Sequence, residues 1–393
     1  MLRACAGGAL AALVVLLVLA GGSQRPAPRS PGTPAQPPVP SIPAVPAGAP
    51  SQPAVTRVRI GVSVNGLFNA PGTSAAQIEA QLGALQATGA TVARSDALWE
   101  YGEPAAPVGG VHHYDWRFDD RIVAALAVHR LRWLPILDYT AGWARLSPEL
   151  LHSPPRDPRD FAAFAGALGA RYGTGGDYWR SHPELPRLPV DTYEVWNEED
   201  SGVFWSPQPD LAAYARLYAA ARNALIAVDS GARVIVGGLT SPKTSMPALL
   251  SIRPQLRGHL DGIAIHPYAS TPLGVLAHVR DARATLSSLG LTGVQLYLTE
   301  LGWTVHPPGS QHFVPEPRRP GYIMQSLSAL GHTDCGIAAV ILYTWVTAER
   351  NRADPEDWFG IHPVTGAASP DTEAFTSGVR QASERAPAVA LCQ

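Results

Sequence analysis

Short apolar runs alternate along the chain with longer segments in which apolar residues recur every three or four positions. The short runs are rich in β-branched and aromatic residues and predict strands, whereas the longer segments predict amphipathic helices. From Arg57 onward, eight such strand–helix pairs follow one another, which favours a parallel sheet with crossover helices. The sequence therefore predicts an α/β fold, a (β/α)8 TIM barrel. The predicted strands cover residues 58–64, 91–95, 132–138, 193–198, 233–236, 262–266, 296–300 and 337–345.

The segments that follow four of the predicted strands are long. They cover residues 96–116, 140–156, 301–320 and 346–370. In a (β/α)8 barrel, segments that follow strands lie on the face where enzymes of this fold carry their active sites. We therefore expect these loops to form the walls of a cleft on that face.

The first 55 residues differ in composition from the rest of the chain. Residues 1–22 carry a basic residue, Arg3, near their start, continue through an apolar run and end in two glycines, which is typical of a secretory signal peptide. Residues 23–55 consist mostly of Pro, Ala, Ser and Gly and predict a disordered linker. We expect residues 56–393 to form the barrel domain, and the protein to be secreted with no membrane span in the mature chain. If the signal is not cleaved, the apolar run is instead an N-terminal membrane anchor.

The overall composition limits the class of partner. Of the 393 residues, 46% are hydrophobic and 16% are charged, and the formal net charge is −2. A large core is therefore possible, and attraction to nucleic acid is not indicated. We expect a monomer with an uncharged partner.

Three residues, Cys335, Cys392 and Glu194, are predicted to have structural rather than catalytic roles. Cys335 and Cys392 either form a disulfide or remain two thiols, and the pairing is plausible because the last helix of a barrel returns to the face where the eighth strand begins. Glu194 is predicted to be a buried carboxylate bonded to an arginine such as Arg59 or Arg94, because an unpaired charge inside the barrel would be costly.

Two predicted strands end in a glutamate. The fourth ends in Trp196, Asn197 and Glu198, and the seventh ends in Thr299 and Glu300. Because side chains alternate along a strand, Trp196 and Glu198 are expected to share one face, and Glu198 and Glu300 to face each other across the mouth of the barrel. Such a pair suits acetal hydrolysis, in which a protonated carboxyl helps the leaving oxygen depart while an ionised carboxylate attacks the anomeric carbon.

With these motifs, residues 57 to about 385 resemble the clan A glycoside hydrolases, which are retaining enzymes on (β/α)8 barrels. Within the clan, the sequence is most similar to glycoside hydrolase families 39 and 5. The resemblance implies that Glu198 is the acid/base, that Glu300 is the nucleophile and that Asn197 holds the sugar 2-hydroxyl. Many members have proline after the acid/base, whereas this chain has Glu199.

The resemblance also implies roles for residues at the ends of other strands. His266 and Tyr268, which flank a proline after the sixth strand, match residues that orient the nucleophile. Trp345 matches a tryptophan under the reactive sugar, and Arg94 matches an arginine near the nucleophile. Trp303, in the loop after the seventh strand, is a further candidate for stacking on a sugar ring.

These observations predict a secreted retaining glycoside hydrolase that cleaves O-glycosidic bonds of a β-linked oligo- or polysaccharide, without a cofactor or a metal. The alternative is a non-catalytic carbohydrate-binding barrel, against which the presence of both glutamates argues. A metal-dependent barrel isomerase is a third interpretation. It would need more acidic and histidine residues at strand ends than Asp138 and His266 provide.

Overall fold

Eight parallel strands close into a barrel in the computed structural model, which describes residues 57–69, 72–364 and 367–393. Each strand pairs with its neighbours in chain order, and the eighth pairs with the first. The predicted α/β fold, a (β/α)8 barrel, is therefore confirmed. The strands are β1 (Arg59–Ser63), β2 (Val92–Leu98), β3 (Arg132–Asp138), β4 (Thr192–Val195), β5 (Arg233–Leu239), β6 (Gly262–Ile265), β7 (Gln295–Leu301) and β8 (Ile337–Leu342).

The α-helices follow the strands and form the outer layer. Local sequence sets where they begin: Ser74 and Gln77 form a reciprocal capping box, and Asp157 caps a helix whose first residue is Pro158. In the described residues the α-helices are α1 (Asn65–Phe68), α2 (Ala75–Ala87), α3 (Trp99–Gly102), α4 (Arg117–Val128), α5 (Pro158–Tyr172), α6 (Asp177–Ser181), α7 (Leu211–Val228), α8 (Pro242–Ile252), α9 (Pro272–Ser288), α10 (Arg319–Leu330) and α11 (Pro370–Ser383).

Apolar side chains fill both the barrel and the space around it. The main core lies between the strands and the surrounding helices, whereas Val92, Leu134 and Ile341 form a separate small cluster. Strand alternation and the pairing of Leu134 with Arg94 place this cluster in the barrel interior. At Gly61, a Cβ atom would lie 2.0 Å from the carbonyl oxygen of Val92, so β1 and β2 approach closely only because the side chain is absent.

The structure differs from the predicted elements at four strand ends. β4 ends at Val195 and β8 at Leu342, each three residues before the predicted end, whereas β2 and β5 run three residues further, to Leu98 and Leu239. No bounds were predicted for the helix after the fifth strand, α8, because Pro247 inside it interrupts the pattern. The ends of β4 and β8 matter most, because they change the direction of the side chains at the mouth of the barrel.

The predicted signal peptide and linker, residues 1–55, lie outside the described residues. Among the residues that are described, no helix is both long and apolar enough to cross a lipid bilayer.

A disulfide joins Cys335, just before β8, to Cys392 near the end of the chain. Of the two interpretations left open by the sequence, the structure therefore contains the disulfide. Nearby, the backbone N–H groups of Leu391 and Cys392 donate to the carboxylate of Asp334 at 2.9 and 2.8 Å. The C-terminal segment is thus held against the start of the last strand.

Candidate active site

The segment after β4 leaves strand geometry before it reaches the predicted catalytic glutamate. Trp196 and Glu198 have φ values of 70° and 50°, in the left-handed region that non-glycine residues rarely adopt. The Trp196 indole turns away from the barrel, packs against Tyr139 and donates to the carbonyl of Phe204 at 2.7 Å. The expectation that Trp196 and Glu198 share one strand face is wrong, because the strand has already ended. The turn instead directs Glu198 into a cavity at the barrel mouth.

Arg94 of β2 is the electrostatic centre of the site. Its guanidinium donates to the carboxylate of Glu194 at 2.7 and 3.1 Å, to Glu300 at 2.7 Å and to the amide oxygen of Asn197 at 2.9 Å. The hydroxyl of Thr299 donates to Glu194 at 2.9 Å. Glu194 is therefore the buried structural carboxylate predicted from the sequence, with Arg94 as its partner. Side chains from β2, β4 and β7 thus form one hydrogen-bonded network, in which Arg94 holds Asn197 and Glu300 in position.

Glu198 and Glu300 converge on His266. The Nδ1 atom of His266 lies 2.7 Å from Glu198 and 3.7 Å from Glu300, and the hydroxyl of Tyr268 donates to Glu300 at 3.0 Å. One oxygen of each glutamate and one ring nitrogen of His266 all lie within 4.8 Å of one another. Gly238 makes room for this arrangement, because a Cβ atom there would lie 2.0 Å from the His266 ring. The two carboxylates predicted from separate strands thus share one small volume.

The three converging groups also satisfy the distance condition for a metal site. Glu300 already accepts hydrogen bonds from Arg94 and Tyr268, and the Arg94 guanidinium places a positive charge 2.7 Å from its carboxylate. A second cation would be repelled at that position. We therefore assign no metal to the cluster.

The surroundings shift the pKa values of Glu300 and His266 in opposite directions. Burial tends to raise the pKa of Glu300, but the charges of His266 and Arg94 and the hydrogen bonds from Arg94 and Tyr268 outweigh it, so the pKa is lowered. Burial tends to lower the pKa of His266, but the Glu300 charge and the contact with Glu198 raise it overall. Glu300 is therefore held ionised, as an attacking carboxylate must be.

The carboxyl groups that follow Glu198 are excluded from the site. Glu199 is fully buried, and burial together with the charge of Asp200 raises its pKa well above the usual range. Asp200 instead accepts hydrogen bonds from the segment that begins α8, including the backbone N–H of Ser241 at 2.9 Å. Of the three consecutive acids, Glu198 is the one that lines the cavity.

The cavity has a volume of about 640 Å³ and opens at the ends of the strands. Among the described residues that line it there are four acids and four histidines, and none is Lys or Arg. The described residues that line it are Asn65, Asp96, Ile136, Tyr139, His152, Asn197, Glu198, Phe204, Thr240, His266, Tyr268, His278, Glu300, Gln311, His312, Tyr343, Pro355, Glu356 and Phe359.

Three predicted site residues lie outside this wall. Arg94 is fully buried behind it and reaches the cavity only through its partners. Trp303 is 1% exposed and donates to the carbonyl of Ala269, and Trp345 is fully buried and donates to Gln81 of α2 at 2.8 Å. Neither indole contacts the cavity, so the predicted sugar contacts of Trp303 and Trp345 are wrong. The other predicted residues, Asn197, Glu198, His266, Tyr268 and Glu300, all line the cavity.

Several lining residues were not identified from the sequence. Asp96 lies two residues beyond Arg94 on β2, where its carboxylate accepts one hydrogen bond from Asn65 at 2.8 Å, and burial raises its pKa. At the end of β8, the cavity residue is Tyr343, whose hydroxyl donates to Glu356 at 2.9 Å. Strand alternation from Arg94 would have indicated Asp96, had β2 been predicted to its full length.

The fold and the two strand-end carboxylates define the class of protein: a (β/α)8 barrel with an acidic cavity at the mouth. No protein-family model matches the chain, and no curated protein matches it in sequence. Among solved structures, the GH39 enzyme from Xanthomonas axonopodis pv. citri aligns with a TM-score of 0.61 at 20% identity, over 81% of this chain and 65% of its own. The chain thus spans slightly less than two thirds of that enzyme.

Two further structures give similar alignments. A monomeric beta-xylosidase from Caulobacter crescentus CB15 has a TM-score of 0.61 at 18% identity, over 82% of this chain and 69% of its own. A GH5_18 enzyme from Bifidobacterium longum subsp. infantis has a TM-score of 0.59 at 13% identity, over 85% and 81%. The chain therefore has the fold of glycoside hydrolases of families 39 and 5, and the likeness predicted from the motifs is confirmed at the level of the fold.

Proposed function

We propose that the protein is a secreted retaining glycoside hydrolase that cleaves a β-linked oligo- or polysaccharide. The observation that carries the proposal is the pair Glu198 and Glu300: one carboxylate oxygen of each lies within 4.8 Å of the other, and Arg94 and Tyr268 donate to Glu300 but not to Glu198. Such closeness favours a retaining enzyme, since the two carboxyl groups are about 5–5.5 Å apart in retaining glycosidases and about 6.5–9.5 Å apart in inverting ones.

In the proposed reaction, an oxygen of Glu300 attacks the anomeric carbon and the bond to the leaving oxygen breaks. Glu198 transfers its proton to that oxygen as it departs, leaving a covalent glycosyl ester on Glu300. Glu198, now ionised, removes a proton from water, which attacks the anomeric carbon and releases Glu300. The amide of Asn197, oriented by Arg94, is available to hold the sugar 2-hydroxyl.

Secretion, domain organisation and monomeric state form part of the same proposal. Residues 1–22 would be the signal peptide and residues 23–55 a linker, outside the described residues. The disulfide between Cys335 and Cys392 supports an oxidising compartment. One structural neighbour is described as monomeric, which supports a monomer here.

The first test is hydrolysis of aryl β-glycosides by the wild-type protein, beginning with β-xylosides and β-glucosides because structural neighbours are described as a beta-xylosidase and a glucosidase. Proton NMR should show the β-anomer as the first product. Glu300→Ala should reduce kcat/KM by on the order of 10⁴-fold or more.

Azide distinguishes the two glutamates. With Glu198→Ala, azide should attack the glycosyl-enzyme and yield the β-glycosyl azide, whereas with Glu300→Ala it should attack the substrate directly and yield the α-azide. The matched control is Glu184→Ala, an exposed glutamate in the segment before β4, at the opposite end of the barrel, which should retain wild-type activity. An α-anomer as the first product would overturn the retaining mechanism. Sugar binding without hydrolysis by the wild type would support the non-catalytic alternative.

A further inference from the structure

The cavity wall differs on its two sides. On the side of β7 and β8 it carries hydrogen-bonding groups, including Gln311 and Glu356 from the segments that follow these strands. On the side of Glu198, three partly exposed rings, which we call the β3–β4 ring cluster, form the wall instead. The β3–β4 ring cluster consists of Tyr139, His152 and Phe204.

The β3–β4 ring cluster is a packed unit anchored on the segment that carries Glu198. The ring centroids of Tyr139 and His152 lie 4.3 Å apart, and those of His152 and Phe204 lie 5.2 Å apart. Tyr139 packs edge-on against the buried indole of Trp196 at 5.3 Å, and that indole donates to the backbone carbonyl of Phe204. The rings are thus fixed relative to the acid/base rather than carried on an independent loop.

Apolar side chains continue the cluster onto the rim. Leu151 and Val203, the neighbours in sequence of His152 and Phe204, are 66% and 63% exposed. The Nδ1 atom of His152 donates to the carbonyl of Val203 at 2.8 Å, so the two loops are joined and one of the two ring nitrogens is occupied. Large apolar side chains exposed beside a cavity indicate a binding surface.

The chemistry of the proposed reaction decides what meets this surface. The sugar that is attacked must lie against Glu300, and the leaving group must begin at the oxygen that Glu198 protonates. On the other flank of Glu198, Thr240 already donates its hydroxyl to Asp200 at 3.0 Å. We therefore expect the leaving group to extend toward the β3–β4 ring cluster, which includes Phe204 from the same segment as Glu198.

We propose that the β3–β4 ring cluster is a leaving-group subsite that takes an aglycone with a flat apolar face, such as an aromatic ring. This inference rests on the proposed hydrolase function. The Phe204 ring and the aliphatic side chains of Leu151 and Val203 have no hydrogen-bonding atoms. Such groups suit stacking and apolar contact, whereas a sugar leaving group would need partners for its hydroxyls. Hydrogen-bond recognition would then be concentrated on the sugar that is attacked.

The test compares leaving groups on one and the same sugar. Phe204→Ala should lower kcat/KM for an aryl β-glycoside by about 3- to 10-fold, the effect of losing one aromatic contact. The same variant should leave kcat/KM unchanged for the glycosyl fluoride, which has no aglycone ring. Taking the variant-to-wild-type ratio for each substrate cancels the intrinsic reactivity of the leaving group. Phe204→Leu keeps an apolar side chain if alanine impairs folding, and should give a smaller loss in the same direction.

Phe118→Ala is the matched control, because Phe118 is a partly exposed ring of α4 that does not line the cavity. Phe118→Ala should change kcat/KM for the aryl glycoside and for the glycosyl fluoride by the same factor. Equal losses on both substrates with Phe204→Ala would overturn the subsite, and so would a loss confined to a disaccharide of the same sugar. If the wild type hydrolyses none of these glycosides, the proposed hydrolase function itself fails.

Discussion

Replacing Arg94 with methionine tests the electrostatics of the site most directly. The substitution keeps an unbranched side chain of similar length but removes the charge and all four hydrogen bonds to Glu194, Glu300 and Asn197. Two carboxylates would then remain in the barrel without their common cation. We expect a loss of stability together with a shift in the pH dependence of activity.

The magnitude follows from the burial of the ion pairs. The side chains of Arg94 and Glu194 are fully buried, and that of Glu300 is 13% exposed, so solvent screens these pairs little. Removing one partner of a buried ion pair costs about 3–5 kcal/mol. For a domain of ~330 residues this free energy corresponds to a fall in Tm of ~4–7 °C.

The pH dependence has a definite sign. Because the folded-state pKa of Glu300 is lowered, its ionised form contributes stability above the unfolded value of about 4.3, and this contribution is lost as the pH falls through the folded pKa. Arg94→Met removes one cause of the lowering. The stability difference between wild type and variant should therefore be largest near neutral pH and shrink in acid, and the acid limb of kcat/KM should move to higher pH.

Calorimetry and a kcat/KM profile against pH measure the two effects. Arg319→Met is the matched control, since Arg319 is a buried arginine bonded to Asp371 at 2.6 Å and lies outside the cavity. It should lower Tm by a similar amount and leave the acid limb where it is. An unchanged Tm for Arg94→Met, or an acid limb that moves equally in both variants, would refute the reasoning.

Three further changes have defined outcomes. Gly238→Ala should displace the His266 ring, whose Nε2 atom would lie 2.0 Å from the new Cβ, and reduce kcat on the order of 100-fold. Glu199→Gln should keep activity. Because the pKa of Glu199 is raised in the folded protein, the stability of the wild type should fall as the pH rises from the pKa of the unfolded chain towards that of the folded protein. The stability advantage of the variant, measured by urea unfolding, should therefore grow with pH. Replacing Cys335 and Cys392 with serine should cost roughly 4 kcal/mol in unfolding free energy, from the entropy of the 57-residue loop.

Each of these changes has its own control. Gly293→Ala introduces a Cβ with no heavy atom within 4 Å and should leave kcat unchanged. If Glu199→Gln abolishes activity while the protein stays folded, Glu199 rather than Glu198 would be the acid/base. A reductant should lower Tm in the wild type and have no effect on the double serine variant; an equal effect on both would contradict the role given to the disulfide.

The barrel was predictable because its signal is repeated. Eight apolar runs alternate with amphipathic segments, so an error in one element does not change the fold that the whole pattern indicates. The helix α8 was missed for a local reason, since Pro247 interrupts its pattern. The chain is nevertheless helical there because packing of Met246, Leu249 and Leu250 against the core outweighs the cost of the proline.

The site was predictable only where side-chain direction follows from the strand. Arg94, Glu194 and Thr299 point into the barrel as alternation predicts. Glu300, the neighbour of Thr299, reaches Arg94 only because the pairing of β7 with β8 shifts register at this point, which alternation does not predict. Beyond the last paired residue of a strand, alternation no longer applies. At the end of β8 the cavity residue is therefore Tyr343, while Trp345 turns outward to bond Gln81.

Two carboxyl groups of the same kind acquire different roles from their neighbours. Glu300 accepts hydrogen bonds from Arg94 and Tyr268 and is held ionised, whereas the hydrogen-bond partner of Glu198 is His266, which touches both glutamates. In the proposed reaction Glu300 loses its charge when it becomes an ester, and with that charge goes the largest influence that raises the pKa of His266. His266 would then hold a proton less strongly. The contact of one histidine with both carboxylates therefore couples the charge of Glu300 to the protonation of His266.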